Sequence, residues 1–190
     1  ISQPEYKELF NQALESSDPF SKGPYLDVTD SFIRDETVCQ LVDNGTLSQE
    51  FKSLPDIYEK TLYLHQQRAI EKTAKGRNIV VSTGTGSGKT ECFLIPIINH
   101  LMREKQANGS ISPGVRAILI YPMNALANDQ IDRLRRTLAK YPEITFGSNT
   151  GQTEYKKEKA LEIFKKINTN PETGETPIPL TNELLSREEM

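Results

Sequence analysis

Asn78-Ile-Val-Val-Ser-Thr-Gly-Thr-Gly-Ser-Gly-Lys-Thr90 is the stretch whose reading decides the fold. Ile79, Val80 and Val81 form a β-branched run, which predicts a short buried strand. Gly84, Gly86 and Gly88 then alternate with small hydroxyl residues, and Lys89 and Thr90 close the loop. From Glu91 onward the pattern is helical. A strand, a glycine-rich loop and a helix N-terminus in that order predict an anion site. Glycines allow successive backbone N–H groups to point inward around phosphate oxygens. Lys89 has the reach for the β- and γ-phosphates, and the Thr90 hydroxyl suits Mg²⁺. The plain alternative is a glycine-rich turn with a chance lysine. The flanking strand and helix favour the phosphate reading.

Outward from the loop, Phe93, Leu94, Ile97, Ile98 and Leu101 predict a helix buried on a broad face, with Pro96 expected to distort one turn. Residues 106–114 carry Asn108-Gly109 and Pro113-Gly114, a surface loop. Val115 to Tyr121 reads as a second buried strand, so strand, helix, strand implies a right-handed crossover and a parallel sheet. Ala127, Ile131, Leu134 and Leu138 form the apolar stripe of the next helix, with Arg133, Arg135 and Arg136 assigned to a solvated face. Ile144 to Gly147 is a third short strand. The polar loop Asn149 to Thr153 follows at the carboxyl edge, where parallel sheets bind ligands. Thr153 to Asn168 is helical, and its interleaved Lys and Glu residues suggest i,i+4 pairing rather than a nucleic-acid patch. Residues 168–179 are turn-rich, and Thr181 to Met190 reads as a restarting helix.

Upstream, Tyr6, Leu9, Phe10, Ala13 and Leu14 give a one-sided helix over Pro4 to Glu15, its stripe read as packing. Turn signals fill 16–24. Short helices are expected over Thr37 to Asp43 and from Ser48 to Leu54, where Pro55 stops the second. Residues 1–60 thus form a helical leader, and 61–190 hold the motif-bearing domain. Tyr63 to Lys75 predicts a stronger helix ended by Gly76.

Composition narrows the function classes. A chain of 190 residues suffices for one α/β core. Net charge −3 and a pI near 5.6 give no global basic signature for nucleic-acid binding. No secretory signal or membrane-length apolar run is present. Cys39 and Cys92 are far apart and read as reduced thiols of a cytoplasmic protein; His65 and His100 are isolated, so no metal beyond nucleotide-bound Mg²⁺ is expected. The start at Ile1 suggests a piece of a longer chain.

Thr83 stands where the general P-loop pattern G-x-x-x-x-G-K-[ST] has glycine. A Thr-Gly-Ser-Gly-Lys-Thr core of this kind resembles that of superfamily 2 DEAD/DEAH-box helicases. Pro122-Met-Asn-Ala-Leu-Ala-Asn-Asp-Gln130 is similar to their Pro-Thr-x-x-Leu-x-x-Gln motif, with Met123 in place of threonine. The order of motifs resembles the front of a first RecA-like motor domain of the large bacterial type. The resemblance implies an incomplete parallel RecA-like P-loop sheet flanked by helices, ATP and Mg²⁺ as cofactors, and backbone contacts to DNA or RNA. It also implies the remainder of a helicase chain as partner.

Residue by residue, the resemblance makes Gln66, in Leu-His-Gln-Gln-Arg-Ala, the adenine reader, since an amide matches the N6/N7 edge. Tyr63 is either a base-packing or a core residue. Thr83, Gly84, Thr85, Gly86, Ser87, Gly88, Lys89 and Thr90 make the nucleotide loop, Lys89 and Thr90 being catalytic and Thr90 the Mg²⁺ ligand. Asn124 either caps its helix or contacts a phosphate. Thr150, Gly151 and Thr153 match a Thr-Gly backbone contact, or form a plain turn. No apolar strand ends in paired acids, so the sequence lacks the hydrolysis motif and arginine finger that such motors need. The chain by itself is therefore expected to be inactive. The competing class is a non-helicase P-loop ATPase, a kinase or a protein-remodelling enzyme, which requires neither Gln66 nor the Pro122 motif.

Overall fold

The computed structural model describes residues 4–15, 31–170, 173–174 and 177–190. The expected turns at 16–24 and part of the loop at 168–179 lie outside them. The chain divides into two compact units, residues 1–31 and 32–190. In the first, α1 (Pro4–Leu14) forms as its periodicity predicts. Its stripe is not buried, however: Tyr6, Leu9 and Phe10 are exposed.

The second unit begins with β1 (Arg34–Thr37) and α2 (Val38–Asp43), joined by a capping box in which Thr37 and Gln40 satisfy each other's backbone N–H groups. A 3-10 helix (Gln49–Ser53) follows, capped by Ser48, and Pro55 opens α3 (Pro55–Tyr58) rather than merely ending the element before it. β2 (Thr61–Tyr63) pairs antiparallel with β1. Neither strand is legible in the sequence, because Arg-Asp-Glu-Thr shows no apolar alternation. α4 (Leu64–Ala74) ends at Lys75, and Gly76 takes φ of 69°. α5 (Glu91–Asn108) runs unbroken across Pro96 to Gly109, whose φ of 78° is the left-handed cap Asn-Gly predicts. α6 (Asn124–Leu138), β3 (Phe146–Gly147), α7 (Lys157–Asn168) and β4 (Glu183–Leu184) complete the order.

Residues of the expected leader belong to the core of this second unit. Val38, Leu41, Val42, Leu47, Phe51 and Leu54 are buried in one cluster with Ile70, Leu94, Ile95, Ile98, Met102 and Leu138. Each fully buried large side chain stabilises the fold by roughly 1.5–3 kcal/mol. Asn99, reaching out of α5, accepts from the Ser48 backbone N–H at 2.8 Å, so the leader is tied to α5 by a buried polar bond as well.

Three expectations are corrected. Residues 79–81 and 115–121 form no strand, and Val80, Ile118 and Ile120 are 96%, 77% and 88% exposed. A β-branched run becomes a buried strand only where neighbours complete its ladder, and among the described residues no strand lies beside either segment. The only parallel pairing among the described residues is β3 with β4, Phe146 opposite Glu183 and Gly147 opposite Leu184. Thr181 to Met190 is therefore not a restarted helix. Asn182 explains why: its amide nitrogen donates to the carbonyls of Leu138 (3.2 Å), Tyr141 (3.4 Å) and Ile144 (2.9 Å), pinning the segment to the end of α6.

Of the arginines of α6, Arg136 is exposed as expected, whereas Arg133 and Arg135 are not part of a solvated face. Arg135 grips Glu183 through Nε and Nη2, at 2.6–3.0 Å, and Arg133 pairs with Glu91. On α7 no i,i+4 ion pair forms among the described residues; Lys157 pairs with Glu189 instead.

Candidate functional site

The glycine loop follows residues 78–82 and delivers the chain into α5. Gly86 and Gly88 have φ of 76° and 72°, a region that other residues enter at a cost of about 1 kcal/mol or more. The hydroxyls of Thr83 and Ser87 meet at 2.6 Å across the loop. Thr83 thus supplies a cross-loop bond where the general pattern has glycine. Lys89 folds back over the loop, donating to the carbonyls of Thr83 (2.9 Å) and Gly84 (2.8 Å). Its ammonium is therefore held at the mouth of the loop while remaining exposed.

Among the described residues the backbone N–H groups of 84–90 have no protein acceptor, and the Thr90 hydroxyl makes no cap bond. A run of free donors at the start of an 18-residue helix fits an anionic phosphate chain. The lysine and threonine beside it match the charge and the oxygen ligand that a magnesium-bound nucleotide needs.

Gln66 sits directly behind the loop. Its side chain is buried, with Nε2 donating to the Gly88 carbonyl at 2.7 Å and Oε1 accepting from the Tyr63 N–H at 2.8 Å. A Cβ on Gly88 would lie 2.5 Å from that nitrogen, so any side chain there would displace the Gln66 amide besides having to enter the left-handed region. His65 adds a bond from its Nε2 to the Ser87 carbonyl, 2.9 Å. Phe32, Tyr63 and His65 form an aromatic group with centroids 5.4–5.8 Å apart. Tyr63 is half-buried within it.

Sequence reasoning passed over Glu91 as the mere start of a helix. It is 4% exposed, and its Oε1 bonds both Lys60 and Arg133 while Oε2 is buried without a partner. Burial penalises its charge, but the Lys60 bond and the Arg133 charge prevail and hold the carboxyl below the usual range. An acid in the first turn of a helix was the available signal.

The residues assigned to nucleic acid lie on two separate features. Asn124 is the first residue of α6, exposed, and its side chain makes no capping bond. Of its two readings, capping is not realised. In the 150–153 loop the Thr153 hydroxyl donates to the Ser148 carbonyl (2.9 Å) and accepts from the Thr150 N–H (2.8 Å), so it closes the turn itself. Gly151 is exposed at its tip. No hydrogen bond joins Asn124 to this loop among the described residues. A cavity of about 470 Å³ lies elsewhere, lined by Ile70, Arg77, Cys92, Pro96 and Arg116, and includes no residue of the glycine loop.

A glycine loop with free amides, a lysine at its mouth and a threonine at the helix start defines a P-loop nucleotide-binding α/β protein. The comparisons make this specific. The family model described as DEAD/DEAH box helicase matches residues 63–178. The Druantia protein DruE of Escherichia coli is 34% identical over 161 residues, covering 75% of this chain and 9% of that protein. The ATP-dependent RNA helicase dbp4 of Emericella nidulans is 35% identical over 115 residues, 60% of this chain and 13% of that protein. The chain belongs to the DEAD/DEAH box helicase family, and with it to the RecA-like α/β folds. It spans about a tenth of the length of these relatives. No solved structure shows a significant match. No described helix is long and apolar enough to cross a membrane.

Proposed function

We propose that residues 61–190 are the ATP-binding front of an ATP-driven nucleic-acid helicase or translocase motor, with residues 38–54 packed into its core. The observation that carries this is the row of unpartnered amides at 84–90 with Lys89 over it and Thr90 at its end. Lys89 would exchange its two carbonyl acceptors for phosphate oxygens, a charge-assisted contact stronger than either. Thr90 would ligate Mg²⁺, and the loop amides would take the remaining phosphate charge. ATP supplies the phosphoryl group that is cleaved in such motors. Gln66 is buried behind the loop with both ends of its amide bonded to protein, so it would read an adenine edge only if nucleotide binding opens the side chain to the site.

Asn124, Thr150 and Gly151 are the residues offered to a nucleic-acid backbone, in contacts that are independent of sequence and weakened by salt. Thr153 serves that loop by closing it. By itself this chain should turn over ATP slowly, because the paired acids that complete the metal site and the arginine finger that such motors need are not among its residues. The name of one relative, an ATP-dependent RNA helicase, supports the class of reaction, and the proposal leaves RNA and DNA both open.

The test is titration with a fluorescent ATP analogue and Mg²⁺. Lys89→Ala should weaken binding at least tenfold, from the loss of a charged contact of about 1.5–3 kcal/mol. Unchanged affinity would refute the assignment.

A further inference from the structure

Arg133 and Glu91 join two places that the proposed function uses separately. Glu91 follows Thr90 at the start of α5, and Arg133 stands on α6, nine residues after Asn124 and so about 13.5 Å along the helix axis. Their ion pair is buried on the Glu91 side, where the side chain is 5% exposed. Lys60, which immediately precedes β2, meets the same carboxylate oxygen. Two buried polar atoms flank the junction without partners, Glu91 Oε2 and the hydroxyl of Tyr121. Tyr121 immediately precedes Pro122, and its phenol is acted on by the Arg133 charge.

A guanidinium carries five N–H donors in a rigid fork, and Arg133 spends one nitrogen, Nη2, on Glu91 Oε1. The junction therefore has a second arrangement within reach. In that arrangement another N–H would meet Glu91 Oε2 or the Tyr121 hydroxyl and satisfy an atom now orphaned. Buried donors and acceptors favour discrete arrangements of this kind over continuous ones.

We infer that Arg133, through Glu91, is a positioning residue by which a nucleic acid seated at the N-terminal end of α6 alters the nucleotide site at Thr90. The inference rests on the nucleotide and nucleic-acid assignments made above. Lys60 neutralises the same carboxylate from an element that carries no nucleic-acid contact, so it holds Glu91 without relaying anything.

The experiment measures the dissociation constant of a fluorescent ATP analogue with Mg²⁺ on the 190-residue chain. It does so with and without a saturating 20-nucleotide single strand of mixed sequence, as RNA and as DNA. Wild type should show a coupling factor of about fivefold or more, the ordinary range for linked sites. Arg133→Gln should bring the factor below about twofold while leaving the affinity without nucleic acid within about twofold of wild type. Arg133→Lys, which keeps the charge but loses the fork, should restore part of it and guards against a misfolded Gln variant. Lys60→Gln should keep the coupling. Full coupling in Arg133→Gln, equal loss in Lys60→Gln, or no coupling in wild type would each overturn the inference. Failure of wild type to bind nucleotide would instead overturn the functional assignment beneath it.

Discussion

Replacing Gln66 with alanine tests fold and site together. The side chain is 1% exposed and makes two protein bonds, to the Tyr63 N–H and the Gly88 carbonyl. The two partners suffer differently. The Gly88 carbonyl keeps a bond from the Glu91 N–H at 3.3 Å, whereas the Tyr63 N–H has no other acceptor, since the β1–β2 ladder is carried by Leu64 N–H to the Ile33 carbonyl. One orphaned amide at about 1–3 kcal/mol and one lost bond near 1 kcal/mol give about 3 kcal/mol in all. For a unit of this size that lowers Tm by roughly 6–12 °C. The same substitution frees the loop at Gly88 and removes the amide proposed to read the base. ATP affinity should fall on the order of tenfold, and any preference for ATP over GTP, worth roughly 1–3 kcal/mol for a bidentate amide, should vanish. Calorimetry and competitive titration with the two nucleotides measure both. A Tm within about 1 °C of wild type, with the ATP:GTP ratio unchanged, would refute the reasoning.

Three further outcomes follow from individual contacts. Burial, and next the bond to Glu50, push the Tyr141 phenol up to about 12. Because the folded value exceeds the unfolded value of about 10, stability is whole below pH 10 and is lost as pH rises toward 12. Tyr141→Phe should flatten that loss in unfolding measured from pH 9 to 12, and an identical slope in both proteins would contradict it. Cys92 is 1% exposed and burial pushes its thiol up, whereas Cys39 is half-buried, so iodoacetamide should modify Cys39 first by mass spectrometry. Asn182→Ala leaves three carbonyls at the end of α6 without their shared donor and should cost about 1–3 kcal/mol in urea unfolding, with β4 exchanging its amides fastest.

The helices and the glycine loop were legible because their signals are local. The apolar residues of α5 and α6 recur at helical spacing, Ser48 stands at a helix start, and Lys89-Thr90 follows alternating glycines. The family resemblance read from Thr83 to Thr90 and from Pro122 to Gln130 agrees with the family model over 63–178. What the sequence concealed depends on distant partners. Arg34 to Thr37 is a strand only because Thr61 to Tyr63 lies beside it, and Glu183-Leu184 looks helical until Phe146-Gly147 pairs with it. Arg133 and Arg135 read as surface charge because nothing local announces that Glu91 and Glu183 await them. Conversely, Val80, Ile118 and Ile120 have every local mark of a buried strand and are open to solvent.

Those two segments have a practical consequence for handling the protein. Along 78–82 and 115–121 no backbone group is used in a backbone hydrogen bond among the described residues, and Val80, Val115, Ile118 and Ile120 are exposed. Such a ribbon is indifferent to whose strand completes it. Concentration then becomes a hidden reagent: dilute preparations should stay dispersed, whereas concentrated or warmed ones should recruit one another edge to edge. A soluble strand mimic, or a lysine placed at Ile118 or Ile120, should keep the chains apart in the tube.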